Sequence, residues 1–380
     1  MGILHEDMVV ISQAEKAGDP TVVTVNCPDK TGLGCDLCRV ILLFGISICR
    51  GDVSTDGKWC YVVFWVVGKP ETRWDLLTKR LLEVCPSHFT TSGIYYYRPE
   101  NQQPKPLDVF LLKFWCSYEQ EGLLHDTREL LHTKRRQDET INCLKAVLGN
   151  VLLGCEIELA ESKVTACSQG SPYLPSVITE EMLSLERTNG RLKRPVASIP
   201  ISITVDNNLS PSHTLVQIFC PDHKGLVYDI MRTLKDYDIQ ISYGRFYENT
   251  KGNCEVDLFI MQADGKKIVD PNKQDALCSR LRTELLCPLR VAVVNRGPDT
   301  ELLVANPVEL SGKGRPLVFY DISLALKDLS TRIFSAEIVR HMIRDREWEV
   351  YRFLLDEGVC PSAPKNKIEE GVRNILMGWE

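Results

Sequence analysis

Long apolar segments are scarce in this sequence of 380 residues. The longest apolar runs, such as Tyr61–Val67 and Val40–Ile48, have the length of a strand or a helix and are too short to cross a bilayer. The first residues also lack a cationic stretch followed by an apolar one, so no secretory signal is predicted. These absences predict a soluble protein of the cytoplasm or the nucleus that has no membrane partner.

Basic charge is not in excess either. Fifty-one acidic residues outnumber the 45 lysines and arginines, and the formal net charge is −6. Binding to nucleic acid depends on clustered positive charge that neutralises phosphates. We therefore expect no nucleic-acid partner.

Motifs of catalysis, metal binding and cofactor binding are equally sparse. The seven histidines form neither an HExxH motif nor a spaced cluster. Neither a Ser-His-Asp arrangement nor a pocket of paired carboxylates can be assigned. Gly32-x-Gly34 follows an apolar strand, as in a dinucleotide fingerprint, but Leu37 takes the place of the third glycine. The sequence thus predicts a protein that is not an enzyme and that uses no metal or cofactor.

What the sequence does contain is a repeat. It begins with the segment Cys27-Pro28-Asp29-Lys30-Thr31-Gly32-Leu33, which recurs 193 residues later as Cys220-Pro221-Asp222-His223-Lys224-Gly225-Leu226. The same offset matches Asp36 with Asp229, Arg39 with Arg232, Ile46 with Ile239, Ile48 with Ile241 and Gly51 with Gly244. This match indicates that one folding unit is used at least twice.

The cysteines can be judged against this repeat. The chain has fifteen of them, and without an export signal they are expected to be reduced thiols. Cys35-x-x-Cys38 lacks the second CxxC or the nearby histidines that a zinc or redox site needs, and its equivalents in the later copy are Tyr228 and Met231. We therefore interpret these cysteines as packing residues, and an enzyme that acts through a cysteine is the third of three functional hypotheses.

Both copies have the same predicted order of elements, β-α-β-β-α-β. In the first copy these elements are Thr21–Asn26, Gly34–Phe44, Ile46–Thr55, Trp59–Val67, Glu71–Val84 and Thr90–Tyr97. In the later copy they are His213–Phe219, Leu226–Tyr237, Ile239–Glu248, Cys254–Gln262, Pro271–Leu286 and Leu289–Asn295. This order is the split βαβ or ferredoxin-like arrangement, which is an α+β fold with an antiparallel sheet.

Two further copies are incomplete. The second has a strand at Val109–Cys116, then Gly122-Leu123 in the place of Gly32-Leu33, and then runs directly into a predicted helix at Thr127–Leu148. It lacks most of the first helix and the hairpin, which indicates a deletion; a further strand is predicted at Leu152–Leu159. The fourth copy covers residues 300–380 and has Leu317 in the place of the glycine.

The loop motif and the order of elements resemble ACT domains. Four copies without an attached enzyme are similar to the plant ACT-domain-repeat family, whose units resemble the regulatory end of bacterial uridylyltransferase. The resemblance covers residues 20–100, 108–160 (truncated), 212–296 and 300–380 (degenerate), and the Ser-, Pro- and Thr-rich residues 161–211 are predicted to be an exposed linker.

The resemblance implies an amino-acid site at a seam between domains, formed by the loop and the neighbouring second strand. In the first copy it implicates Asp29, Lys30, Thr31, Gly32, Leu33, Ile46 and Ile48. In the third copy it implicates Asp222, His223, Lys224, Gly225, Leu226, Ile239 and Ile241. A ligand site in the fourth copy is in doubt because Leu317 replaces the glycine.

The chemistry of the loop agrees with this implication. A glycine at the beginning of a helix leaves backbone N–H groups open to a ligand carboxylate. An aspartate three residues earlier could accept from an α-amino group, although it could equally be a helix cap or a loop residue. The first hypothesis is therefore a non-enzymatic regulatory protein that binds a free amino acid and senses amino-acid or nitrogen status.

The second hypothesis is a protein-interaction scaffold with vestigial ligand sites. Unpaired sheet edges invite association, so a protein partner or a homo-oligomer is expected at such edges. Within the chain, we expect the first copy to pair with the second and the third with the fourth.

Overall fold

The computed structural model of the chain describes two main stretches. These are residues 8–86, apart from 15, 17 and 18, and residues 201–378, apart from 297–298, 344–345 and 356–363. Between them it describes three strands and the helical positions Asp138, Ile141 and Asn142. Thr127, the first residue of the predicted helix Thr127–Leu148, ends a strand, Gln120–Thr127, and is not helical. The predicted strand Thr90–Tyr97, the other residues of that helix and residues 161–200 of the predicted linker lie outside the described residues.

The described elements fall into four units. The first unit comprises β1 (Val9–Ser12), β2 (Thr21–Pro28), α1 (Leu33–Leu43), β3 (Ser47–Thr55), β4 (Trp59–Val67) and α2 (Trp74–Val84). The second unit comprises β5 (Val109–Cys116), β6 (Gln120–Thr127) and β7 (Leu152–Leu159). The third unit comprises β8 (Ser202–Asp206), β9 (Thr214–Pro221), α3 (Leu226–Asp236), β10 (Ile239–Glu248), β11 (Asn253–Gln262) and α4 (Pro271–Leu286). The fourth unit comprises β12 (Arg290–Arg296), β13 (Asp299–Pro307), α5 (Val318–Asp328), β14 (Ile333–Ile343), β15 (Arg346–Leu355) and α6 (Lys365–Met377).

The predicted fold class is confirmed, because the units are of the ferredoxin-like α+β type and every strand pair is antiparallel. The local sequence explains these elements. Val23, Val25 and Cys27 alternate with partly exposed residues along β2, so one face of the strand enters the core. Asp270 accepts a hydrogen bond from the backbone N–H of Asn272 and caps α4, and Pro271 occupies the first turn of that helix.

The edge strand of the third unit comes from a different place than predicted. The third unit obtains it from β8, which pairs with β9 and lies inside the segment predicted as a linker. The predicted fourth strand of that unit, Leu289–Asn295, is instead β12, and it pairs with β13 of the fourth unit. Arg296 pairs with Asp299, so β12 and β13 form a tight hairpin, which is an entropically inexpensive closure. The edge next to β9 is already occupied, which leaves β12 to complete the next sheet.

The predicted pairing of units is wrong. The first unit pairs with the third, because β3 and β10 join edge to edge in an eight-stranded sheet of order β1-β2-β4-β3-β10-β11-β9-β8. The fourth unit forms a separate sheet of order β12-β13-β15-β14. Units that follow each other in the sequence therefore do not share a sheet.

The second unit forms a three-stranded sheet of order β6-β5-β7. The strands predicted at Val109–Cys116 and Leu152–Leu159 are confirmed. Gly122 and Leu123, however, lie within strand β6 and not at the beginning of a helix. They cannot form a loop equivalent to that of the first unit.

One apolar core extends through the first and third units. Helices α1 and α3 pack against each other on the same side of the eight-stranded sheet. Leu37 and Ile41 of α1 are fully buried there, as are Tyr228 and Leu234 of α3. The fourth unit has its own core between its sheet and helices α5 and α6. The first and third units thus form a single pseudo-symmetric body. The two predicted loops lie where these units meet.

Candidate functional site

The two predicted loops have the same backbone geometry. Helix α1 begins after Gly32 at φ 78°, and α3 begins after Gly225 at φ 79°. This left-handed conformation favours glycine, because a Cβ atom there is strained. Neither helix has a side-chain cap, so Asp29 and Asp222 do not cap these helices.

Each loop faces the second strand of the other unit. The loop of residues 29–33 lies against Ile239 and Ile241 of β10. The loop of residues 222–226 lies against Ile46, the residue before β3, and Ile48 within β3. The predicted site residues therefore come together across the pseudo-symmetric body and not within one unit. We name the first of these places the open seam and the second the closed seam.

The open seam contains a cavity of about 700 Å³. Its polar lining includes Asp29, Lys30, Thr55, Lys235 and Tyr243, and its apolar lining includes Met231, Leu234, Ile239, Ile241 and Met261. A volume of this size lies in the range of small-molecule sites. All five residues of the predicted first loop line it.

Two lysines converge on Asp36 at this seam. Lys30 Nζ lies 2.8 Å from one oxygen of the Asp36 carboxylate, and Lys235 Nζ lies 3.2 Å from the other. Burial would raise the pKa of Asp36, but its contacts with Lys30 and Lys235 outweigh burial and hold the pKa below its ordinary value. The hydroxyl of Thr55 donates a hydrogen bond to Asp29 Oδ2 at 2.6 Å. Asp29 also lines the cavity.

Lys235 is a candidate site residue that the repeat did not reveal. Its Nζ also pairs at 3.1 Å with Glu309, a fully buried carboxylate of the fourth unit. Burial would lower the pKa of Lys235, but Glu309 and Asp36 raise it above its ordinary value, so the side chain is a cation. The equivalent residue in the first unit is Leu42, which is buried. This difference between the copies is the signal that could have identified Lys235.

The closed seam is filled. Its cavity measures about 20 Å³, and Leu42 lies where Lys235 lies in the open seam. Asp222, His223, Gly225 and Leu226 line it, whereas Lys224 is buried beneath the fourth unit. Burial lowers the pKa of His223, and the nearby Arg315 acts in the same direction.

Leu317 confirms that the fourth unit departs from the pattern. It stands at the first turn of α5 with φ 67°, the conformation that glycine has in the other two loops. A leucine pays a steric penalty in this conformation. The fourth unit therefore keeps the backbone geometry of the loop but not its glycine.

The cysteines do not form a reactive centre in the described part of the chain. Burial raises the pKa of Cys35 and Cys38, and it raises that of Cys60 and Cys220 to about 12. Cys85 is the exception, since a hydrogen bond with Cys27 lowers its pKa, but Cys85 is buried. No group of His, Cys, Asp or Glu among the described residues could hold a metal ion. Within the same residues, every helix is too short or too polar to span a membrane.

Three family models match the chain. Residues 11–86 match the N-terminal model of the ACT domain-containing protein ACR10, residues 202–299 match the ACR9-like ACT-like domain, and residues 300–378 match the C-terminal model of the ACT domain-containing protein ACR9. The chain is 53% identical to ACR10 of Arabidopsis thaliana, and the alignment covers 100% of both chains. The chain belongs to the ACR9/ACR10 group of ACT domain-containing proteins. ACR9 of Arabidopsis thaliana is 48% identical over 100% of both chains.

More distant relatives share only part of the chain. A bifunctional uridylyltransferase/uridylyl-removing enzyme of Azospirillum brasilense is 32% identical over 124 residues, which are 30% of this chain and 13% of that enzyme. The three matched family models are ACT-domain models and none is a catalytic family.

Both relatives align over more positions than this chain has residues. The alignment with ACR10 spans 416 positions and the alignment with ACR9 spans 419, against 380 residues in the chain.

Proposed function

We propose that this ACR-type protein binds a free amino acid at the open seam and serves as a non-enzymatic regulator of amino-acid or nitrogen status. The observation that carries the proposal is the cavity of about 700 Å³ where the loop of the first unit meets β10 of the third. The same cavity combines a helix beginning, a cation, a carboxylate and an apolar wall. An α-amino acid offers the groups that match them.

The ligand carboxylate would lie at the beginning of α1. Nothing among the described residues accepts a hydrogen bond from the backbone N–H of Thr31 or Gly32. These groups carry the partial positive charge of the helix dipole, and the ammonium group of Lys235 lies beside them. Together they can hold one carboxylate.

The ligand ammonium group would pair with Asp29. Its carboxylate accepts one hydrogen bond from Thr55 and can accept another from an α-amino group. Met231, Leu234 and Met261 then offer apolar surface to the ligand side chain. Methionine adapts to side chains of different shape, which fits a site that senses rather than transforms its ligand.

A thermal-shift panel of the twenty amino acids on the full chain tests this function. We expect at least one amino acid to raise the melting temperature, since a ligand at 100 times its Kd stabilises the folded state by about 2.7 kcal/mol. The Gly32→Val variant should abolish the shift, because a Cβ at Gly32 would lie 2.7 Å from the Lys235 side chain. Gly265→Val is the matched control, since Gly265 has φ 76° but open space around it.

The second candidate function is a scaffold, and the filled closed seam favours it. One of the two predicted ligand places in this body holds about 20 Å³ only, as expected of a vestigial site. If no amino acid stabilises the chain, the scaffold explains the fold better. Equal shifts in Gly32→Val and Gly265→Val would also contradict a ligand at the open seam.

A further inference from the structure

The two loops differ in what contacts their backbone. The N–H of Lys224 donates to the carbonyl oxygen of Met377 at the end of α6, at 2.9 Å. Its equivalent in the first loop is Thr31, which is exposed and whose N–H meets no acceptor among the described residues. The backbone N–H that is open at Thr31 in the first unit is thus bound by the fourth unit at Lys224 in the third.

Arg315 of the fourth unit fills the space in front of Gly225. A Cβ atom built on Gly225 would lie 2.9 Å from Arg315 Nη2. The guanidinium group is buried and donates to the carbonyl of Lys224, to the carbonyl of Leu376 at 3.2 Å and to the carboxylate of Asp229 at 3.1 Å. Its donors are thereby directed into the third unit's loop and the adjoining helix.

A buried ion pair also joins the fourth unit to the loop of the third. Lys224 Nζ lies 2.8 Å from each carboxylate oxygen of Asp321 in α5, and both side chains are buried. A bidentate contact of this kind fixes the position of both partners. The fourth unit is therefore held against this loop by a cation, a carboxylate and a backbone acceptor.

These contacts occupy the loop where a ligand carboxylate would bind. The Met377 carbonyl accepts the backbone N–H that a ligand carboxylate would use, and the Arg315 guanidinium group, paired with Asp229, occupies the space in front of Gly225. We propose that the fourth unit is a built-in occupant of the third unit's ligand loop, so that one chain binds one amino acid at the open seam and not two. This inference rests on the proposed function for its stoichiometry, whereas the occlusion itself is independent of any ligand.

Isothermal titration of the full chain with each of the twenty amino acids measures the stoichiometry. We expect one site per chain for any amino acid that binds. Because Leu42 also fills the closed seam, a second site is expected in the Leu42→Ala/Arg315→Ala variant, whereas Leu42→Ala alone should stay at one site. Two sites in the unaltered chain, or one site in a folded double variant whose Lys224 amide has become exposed, would overturn the proposal.

Amide hydrogen exchange decides the occlusion without a ligand. The Lys224 amide should exchange at least tenfold more slowly than the Thr31 amide in the unaltered chain, and Arg315→Ala should remove this difference. Asp321→Asn is the second variant if Arg315→Ala does not fold, and it should act in the same direction. Equal exchange at Lys224 and Thr31 in the unaltered chain would overturn the occlusion. If no amino acid binds while Lys224 is protected, the proposed function fails and the occlusion stands.

Discussion

Asp52 of β3 and Arg245 of β10 form an ion pair across the pseudo-twofold axis that relates the first and third units. The two residues are equivalent in the repeat, since they lie 193 positions apart, and they are also direct partners in the register of the two strands. Arg245 Nε lies 3.3 Å from Asp52 Oδ1. Two identical units joined in this way would bring like charges together on the axis. The charges at this position therefore favour pairing of the first unit with the third over pairing of either with itself.

We predict that reversing one charge weakens this junction and that exchanging both restores it. Arg245→Asp places two carboxylates opposite each other, which disfavours strand pairing. The expected decrease in the unfolding midpoint is small, because both side chains are partly exposed, and it should shrink further at about 1 M salt, where screening is strong. Chemical unfolding of Arg245→Asp and of Asp52→Arg/Arg245→Asp measures the effect. A double variant no more stable than the single one would contradict the pairing.

A second prediction concerns Gly51 and Phe246, which face each other in the same junction. A Cβ atom on Gly51 would lie 2.0 Å from the ring of Phe246, and that ring packs 5.9 Å from the ring of Phe64. Gly51→Ala should destabilise the protein by about 1–3 kcal/mol through overpacking. Phe246→Ala should cost about 3–5 kcal/mol through loss of a buried ring.

The double variant distinguishes a shared contact from two separate effects. In Gly51→Ala/Phe246→Ala the new methyl group enters the space that the ring has left, so the combined loss should be smaller than the sum of the two single losses. Denaturant unfolding of the four proteins gives this coupling. Additive losses would show that the two residues do not share the contact.

The sequence predicted the elements better than their partners. Strand Ile239–Glu248 and helix Pro271–Leu286 have the predicted bounds, because periodicity and the proline at the helix start are local signals. Strand Arg290–Arg296 was predicted, but its sheet was not, since a strand between two units can complete either of them. The outcome depended on β8 already occupying one edge, and β8 lies in a segment whose composition indicates a linker.

For the candidate site, too, the sequence predicted the residues better than their partners. The repeat identified the loop residues 29–33 and 222–226 and the isoleucines of the second strands, but it could not show that each loop faces the strand of the other unit. Lys235 and Arg315 were not predicted, because the first unit has Leu42 in the place of Lys235 and because Arg315 acts on the loop of a different unit. Their importance follows from contacts between units, which one sequence does not display.

A third prediction concerns pH. Burial lowers the pKa of His223 below 6.5, so the unfolded chain binds this proton at a higher pH than the folded one. The free energy of unfolding should therefore fall as the pH drops below about 6.5, by at most about 1.4 kcal/mol per pH unit for one group. Measurements between about pH 7.5 and 5.5 test this slope, and His223→Gln should reduce it.

His341 provides the comparison for this measurement. It is half-buried, and burial also lowers its pKa. His341→Gln should therefore remove a separate part of the dependence of stability on pH, and the double variant should reduce that dependence most. A slope that His223→Gln leaves unchanged would show that His223 is not buried in its neutral form.

The last prediction concerns Lys235, the cation that only the open seam possesses. Its ammonium group bridges Asp36 and the buried Glu309 and lies beside the beginning of α1. Lys235→Met keeps the length and the apolar stem of the side chain but removes the charge that would hold a ligand carboxylate. We expect the affinity for the bound amino acid to fall at least tenfold, which corresponds to about 1.4 kcal/mol or more. Glu309 keeps the hydroxyl of Tyr228 as a donor at 2.8 Å, so the variant should still fold.

Lys327 is the matched control for Lys235. It occupies the equivalent position in the fourth unit, at the same distance after Leu317 as Lys235 has after Gly225, and it is exposed. Lys327→Met should leave the affinity unchanged in the same titration. If Lys235→Met and Lys327→Met bind equally well, the cation does not hold the ligand, and the backbone N–H groups of Thr31 and Gly32 must do so without it.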